Sequence, residues 1–160
     1  MKILFLFLFC LPFLANGQMS RCFDDKEFNI RNEIELRLQK EKWKIFEIVP
    51  NEEESHFIAI QNKYKCIVNK KALLSINEVQ GYATNFIKAI PNGFYYSFEY
   101  GSRFHYEYDF YFKVINKEFY LYKVVERYSD LLKPNKQKVK VKAVKNIPFE
   151  QMNIRSYIRL

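Results

Sequence analysis

From Phe104 to Val114 the chain alternates without a break. Phe104, Tyr106, Tyr108, Phe110, Phe112 and Val114 fall on one parity, and His105, Glu107, Asp109, Tyr111 and Lys113 on the other. Successive side chains point to opposite sides of an extended backbone, so a period of two buries its apolar set only as a β-strand. Asn116-Lys117 breaks the run, and Glu118 to Val125 resumes it with aromatic and β-branched residues. This predicts an antiparallel hairpin at the centre of a sheet. A two-residue turn places Val114 opposite Phe119, Phe112 opposite Leu121 and Tyr108 opposite Val125. Fifteen of the 35 residues from Phe94 to Tyr128 are aromatic, too many for one face, so some belong on the opposite surface.

Around this hairpin the pattern predicts further strands at Trp43–Val49, His56–Ile60, Tyr64–Val68, Phe94–Tyr100 and Lys138–Val144. Ser129–Lys136, with Pro134, reads as a loop, and Asn51–Ser55 as an acidic one. Two segments read as helices. Ser75-Ile76-Asn77-Glu78 has the form of a capping box. Ile76, Val79, Ala83, Phe86, Ile87 and Ile90 follow at three- and four-residue spacing up to Pro91-Asn92-Gly93. Gly81 inside that segment points to close packing on a neighbour. Residues 26–40 are rich in helix formers and are assigned to a second helix, although Ile34, Leu36 and Leu38 also alternate. The tail from Pro148 to Leu160 reads as a short helix or a last edge segment. The predicted fold class is α+β: a single domain in which a curved antiparallel sheet of about five to seven strands packs against one or two helices.

The chain's start indicates a destination. Met1-Lys2, the apolar run Ile3–Leu14 and the small residues of Ala15-Asn16-Gly17 form a secretory signal peptide over residues 1–17, leaving residues 18–160 as one mature domain. The apolar run is too short to span a bilayer, so no transmembrane segment is expected. The protein is therefore expected to be periplasmic or secreted. Two cysteines remain after cleavage, Cys22 and Cys66, and an oxidising compartment favours one disulfide between them. The full chain carries a net charge of +8, and the signal peptide removes Lys2 and no acid, leaving +8 − 1, or +7. A basic exported protein favours acidic partners.

Three groups of side chains are candidates for function. His105, Glu107 and Asp109 share one face of the central strand at roughly 6–7 Å intervals, a spacing that suits a metal or an acid/base pair, but a solvated sheet face needs charges in any case. Lys138, Lys140 and Lys142 form a basic ridge, read either as a docking surface for an acidic partner or as protection of a sheet edge. Tyr95, Tyr96, Tyr111 and Tyr122 are candidates for an aromatic binding face, because tyrosine offers large contact area at low entropy cost. A nucleophile elbow and a glycine-rich phosphate loop are both absent from the sequence, and no cofactor is expected. Nucleic acid is not an expected partner for an exported chain.

In kind, the sequence resembles small exported immunity proteins. Those are also single domains with a signal peptide, no catalytic motif and one charged or aromatic face. The leading expectation is a non-enzymatic exported protein that binds and neutralises a protein partner, such as a bacterial toxin. It would do so by covering an acidic site with Tyr95, Tyr96, Tyr111, Tyr122, Lys138, Lys140 and Lys142. The alternatives are an envelope protein that binds glycans or polyanions, and a small metal-assisted hydrolase using His105, Glu107 and Asp109.

Overall fold

The computed structural model describes residues 28–38, 40–50, 56–74, 78–79, 81 and 84–159. The segments assigned from the sequence to a signal peptide (residues 1–17) and an acidic loop (residues 51–55), Cys22, and the first three residues of the expected capping box lie outside these.

Among the described residues there is no α-helix, which corrects the α+β expectation. Nine strands form two antiparallel sheets. The first sheet has the order β1 (Phe28–Leu38), β2 (Glu41–Pro50), β3 (Phe57–Gln61) and β4 (Cys66–Asn69). The second has the order β5 (Thr84–Ile90), β6 (Gly93–Gly101), β7 (Phe104–Ile115), β8 (Glu118–Asp130) and β9 (Lys133–Pro148). Within each sheet every strand pairs with the next in sequence, and β1 lies against β5, so the two sheets adjoin along one edge.

Both helix assignments fail for physical reasons. In β1 the alternation wins over helix propensity. Ile34, Leu36 and Leu38 turn inward, while Glu33 and Glu35 turn outward and bind lysines of β2 (Lys44 Nζ to Glu33 at 2.5 Å, Lys42 Nζ to Glu35 at 2.7 Å). Cross-strand pairs of opposite charge are the sheet's counterpart of helical ion pairs. In β5 the apolar spacing that mimics a helix belongs to Phe86, Ile87 and Ile90, residues that also suit a strand. The Pro91-Asn92 turn then pairs Ile90 with Gly93. Asn92 takes φ +62 there, a left-handed conformation that asparagine tolerates. The loop expected at Ser129–Lys136 shrinks to Leu131-Leu132, with the Leu132 N–H donating to Asp130 Oδ1 at 3.0 Å.

One apolar core fills the space between the sheets. Leu36, Trp43, Ile45, Ile58, Ile60 and Ile67 come from the first sheet. Ile87, Phe94, Tyr96, Phe110, Phe112 and Leu121 are among those from the second. Trp43 meets Phe119 edge-on across the gap at 5.1 Å, and Phe94 stacks on Phe112 at 4.7 Å. The tail forms two short 3-10 turns, Phe149–Gln151 and Ile154–Ser156. Phe149 wedges against Phe112 at 5.6 Å, and Asn69 Nδ2 donates to the Met152 carbonyl at 2.9 Å, which fastens the tail to β4.

Gly93 shows how tightly the second sheet is drawn. A Cβ there would lie 2.0 Å from the Phe112 carbonyl oxygen, a backbone atom that cannot step aside. Gly93→Ala should therefore cost about 2–4 kcal/mol, read as a lowered midpoint in thermal or urea unfolding. The close packing expected of Gly81 is present without its helix: Gly81 takes φ +62, and its carbonyl accepts the Gly101 N–H at 3.0 Å.

Candidate binding face

The β7–β8 hairpin sets the geometry of the site. Asn116 and Lys117 both take left-handed φ values, +49 and +65, as a two-residue hairpin turn requires. Val114 pairs with Phe119 and Phe112 with Leu121, as the sequence predicts. Beyond that point the register slips. Tyr111 pairs with Lys123, which leaves Tyr122 as the extra residue of a β-bulge and places Tyr108 opposite Glu126 instead of Val125. The bulge brings Tyr122 and Lys123 to the same side of the sheet, where both reach Tyr111.

That side faces away from the core and carries an aromatic ladder across four strands. Phe86 of β5 meets Tyr95 of β6 edge-on at 5.8 Å, and Tyr95 stacks on Tyr111 of β7 at 5.2 Å. Tyr111 meets Tyr122 of β8 at 6.4 Å. Two ammonium groups lie over the rings: Lys123 Nζ sits 3.7 Å from the Tyr111 centroid, and Lys113 Nζ sits 5.2 Å from that of Tyr122. Each is a favourable contact with the ring quadrupole that also orders a long side chain before any partner arrives. Lys88 is exposed opposite Tyr95. Phe86 is 42% exposed, and on the far side of the same face Val139 and Val141 are 59% and 63% exposed.

Next to the ladder lies the charged row of His105, Glu107 and Asp109. The three side chains do not converge. His105 Nε2 is 2.9 Å from Glu99 Oε2, whereas Arg127 Nη1 bridges Glu107 Oε1 at 2.6 Å and Asp109 Oδ2 at 2.7 Å. Among the described residues no three His, Cys, Asp or Glu side chains are placed to hold a metal ion. Tyr111 donates from its hydroxyl to Asp109 Oδ2 at 3.3 Å. Burial, helped by the Asp109 charge, pushes the Tyr111 phenol above its ordinary value and keeps it a neutral donor. Asp109 is only 4% exposed, and Arg127 is the cation beside it. Arg127→Met should cost about 2–4 kcal/mol by leaving that carboxylate buried and unpaired. Asp109→Asn in the same background should restore part of the loss, which a double-mutant cycle in urea measures.

The remaining candidates fall elsewhere. Tyr96 is 1% exposed and belongs to the core, on the opposite side of β6 from Tyr95, so it cannot line an open face. Lys138, Lys140 and Lys142 pair with Tyr128, Glu126 and Val124, which places them on the core-facing side of the sheet, where β9 overhangs the core as an edge strand. Tyrosines and lysines expected on one surface are thus divided between two. Cys66 sits on β4, and the pairing expected with Cys22 falls on a residue outside the described set.

One cluster escapes the sequence reading. Glu47 on β2 is fully buried, and its carboxylate accepts from Asn32 Nδ2 of β1, Asn85 Nδ2 of β5 and, at 3.0 Å, His56 Nδ1. An ionised carboxylate only accepts, so His56 Nδ1 carries the proton. Burial pushes the Glu47 carboxyl up, but the hydrogen bonds from His56, Asn32 and Asn85 outweigh it and hold the group below its ordinary value. The cluster ties β1 and β2 of one sheet to β5 of the other. Glu47 falling on the same parity as the apolar Trp43 and Ile45 was the available signal.

Among the described residues no helix is long and apolar enough to cross a membrane. Compared with protein-family models, curated proteins and solved structures, the chain matches none.

Proposed function

We propose that the chain is an exported, non-enzymatic binding protein that presents the outer face of its five-stranded sheet to an acidic protein surface. The observation that carries this reading is the ladder of Phe86, Tyr95, Tyr111 and Tyr122. Its rings meet edge-on at either end and stack in the middle, and they are half-exposed or exposed, with Lys88, Lys113 and Lys123 around them. Ordered tyrosines offer contact area at little entropic cost, and lysines beside them select and steer an acidic partner. Export rests on the residues 1–17 pattern. The mode of action is occlusion: a rigid sheet face covers the partner's working surface, as an inhibitor of a toxin would.

The test uses mature, oxidised protein (Gln18 to Leu160) as bait against the source cells' own secreted and envelope fractions. One stoichiometric protein partner is expected, with an association rate that falls as salt rises. Retention of no protein at low salt would remove the proposal.

A further inference from the structure

We propose that the cleft between the overhanging β9 strand, β8 and the C-terminal segment is a binding site for an acidic sugar residue. It is independent of the outer face and lies on the other side of the sheet. The cleft is open to solvent on one side and offers about 630 Å³, within the range of small-ligand pockets. Its lining combines two aromatic rings, three cations and one buried carboxylate (Tyr106, Tyr128, Lys138, Lys140, Arg159 and Glu126), with Val139 between the two lysines.

Each part has a defined support. Tyr106 and Tyr128 lie 5.1 Å apart, and are backed by Tyr100 stacked on Tyr106 at 5.3 Å and Phe104 stacked on Tyr128 at 6.1 Å. This makes a held aromatic wall, whose electron-rich faces attract the C–H groups on the flat side of a pyranose ring. Arg159 is clamped by its backbone. The Tyr100 hydroxyl donates to its carbonyl, and its N–H donates to the Tyr108 hydroxyl at 3.3 Å. Its guanidinium is anchored by Nε, 3.0 Å from Glu126 Oε1. Glu126 is 4% exposed, and its charge is answered by Arg159 and by Lys142, whose Nζ lies 3.5 Å from Oε2.

Lys138 and Lys140 differ from these. Both are exposed at the cleft and make no ion pair among the described residues. Two unneutralised ammonium groups beside an aromatic wall call for a ligand with a carboxylate or sulfate on a ring. An acidic peptide is the weaker fit, because an extended peptide would pair with the open edge of β9 and leave the rings unused.

The probe is tetragalacturonate, titrated calorimetrically into the mature protein, with neutral galactotetraose as control. Saturable binding of the acidic sugar alone is expected. Lys138→Glu with Lys140→Glu should weaken it about tenfold or more, and Tyr128→Ala by a similar factor. Tyr95→Ala with Tyr111→Ala should leave it unchanged, which separates this site from the outer face. The lysines are exposed, so the charge-reversed variant should fold, and its melting curve checks that. Absence of saturable binding would overturn the proposal, as would binding indifferent to the lysine reversal. Tighter binding of hexaglutamate than of tetragalacturonate would also overturn it and assign the cleft to acidic peptides.

Discussion

Glu47→Ala should lower the free energy of unfolding by about 3–5 kcal/mol, the cost of breaking a buried, hydrogen-bonded charge cluster. Three donors lose their acceptor at once: Asn32 and Asn85 from the two sheets, and His56. Glu47→Gln keeps the volume and one acceptor oxygen and should cost less. The pH dependence separates the charge from the packing. The folded carboxyl lies below its ordinary 4.5, with His56, Asn32, Asn85 and the nearby charge of Arg31 favouring the ionised form. A depressed pKa means that the unfolded chain binds the proton more readily. The stabilisation is therefore complete above about pH 4.5 and is lost as pH falls through the folded value. Urea unfolding of wild type from pH 7 to pH 3 should show this loss. In Glu47→Gln that component should be absent and the curve correspondingly flatter. Equal slopes in the two proteins would show that Glu47 is not ionised in the folded state.

Tyr95→Ala combined with Tyr111→Ala should weaken partner binding by about 100-fold or more, since both rings stand at the middle of the ladder and central aromatic residues dominate interface energies. The two rings stack on each other, so the double variant removes a contiguous platform. Neither belongs to the core, so the protein should still fold, with a melting temperature lowered only by the loss of the ring contacts and of the Tyr111–Asp109 hydrogen bond, while the dissociation rate rises. Lys113→Ala with Lys123→Ala should act differently, slowing association and flattening its salt dependence. Surface-plasmon measurements at two salt concentrations distinguish these effects.

The hairpin was legible in the sequence because its alternation had a face to bury and its turn was short. The first two predicted pairs are correct. The third fails because Tyr122 is inserted as a bulge, and an extra tyrosine in a strand already crowded with aromatics leaves no mark in the pattern. The same bulge assembles the ladder, so the site depends on the feature hardest to read. Helix and strand were confused at β5 because Phe86, Ile87 and Ile90 satisfy both spacings, and pairing with β6 decided between them. At β1 the alternating Glu33, Glu35 and Arg37 were the better guide than their helix propensity.

The division of the candidate site has a similar cause. Tyr95 and Tyr96 are neighbours on one strand, and parity alone separates them. The side taken by Lys138, Lys140 and Lys142 depends on register across β8 and β9. Irregularities between Leu121 and Lys123 and between Tyr128 and Asp130 reset that register. Glu47 went unnoticed because its partners come from β1, from β5 and from His56 ahead of β3, a meeting that only the joining of the sheets creates.

The most direct measurement of the central claim is a lysine footprint of the protein bound to its captured partner, using a small amine-acetylating reagent and mass spectrometry. Lys88, Lys113 and Lys123 report on the outer face, and Lys138 and Lys140 on the opposite side, within one sample. The account predicts that the first three become protected in the complex while the other two react as in the free protein. Protection of Lys138 and Lys140 with Lys88, Lys113 and Lys123 still reactive would place the partner on the wrong side of the sheet and contradict it.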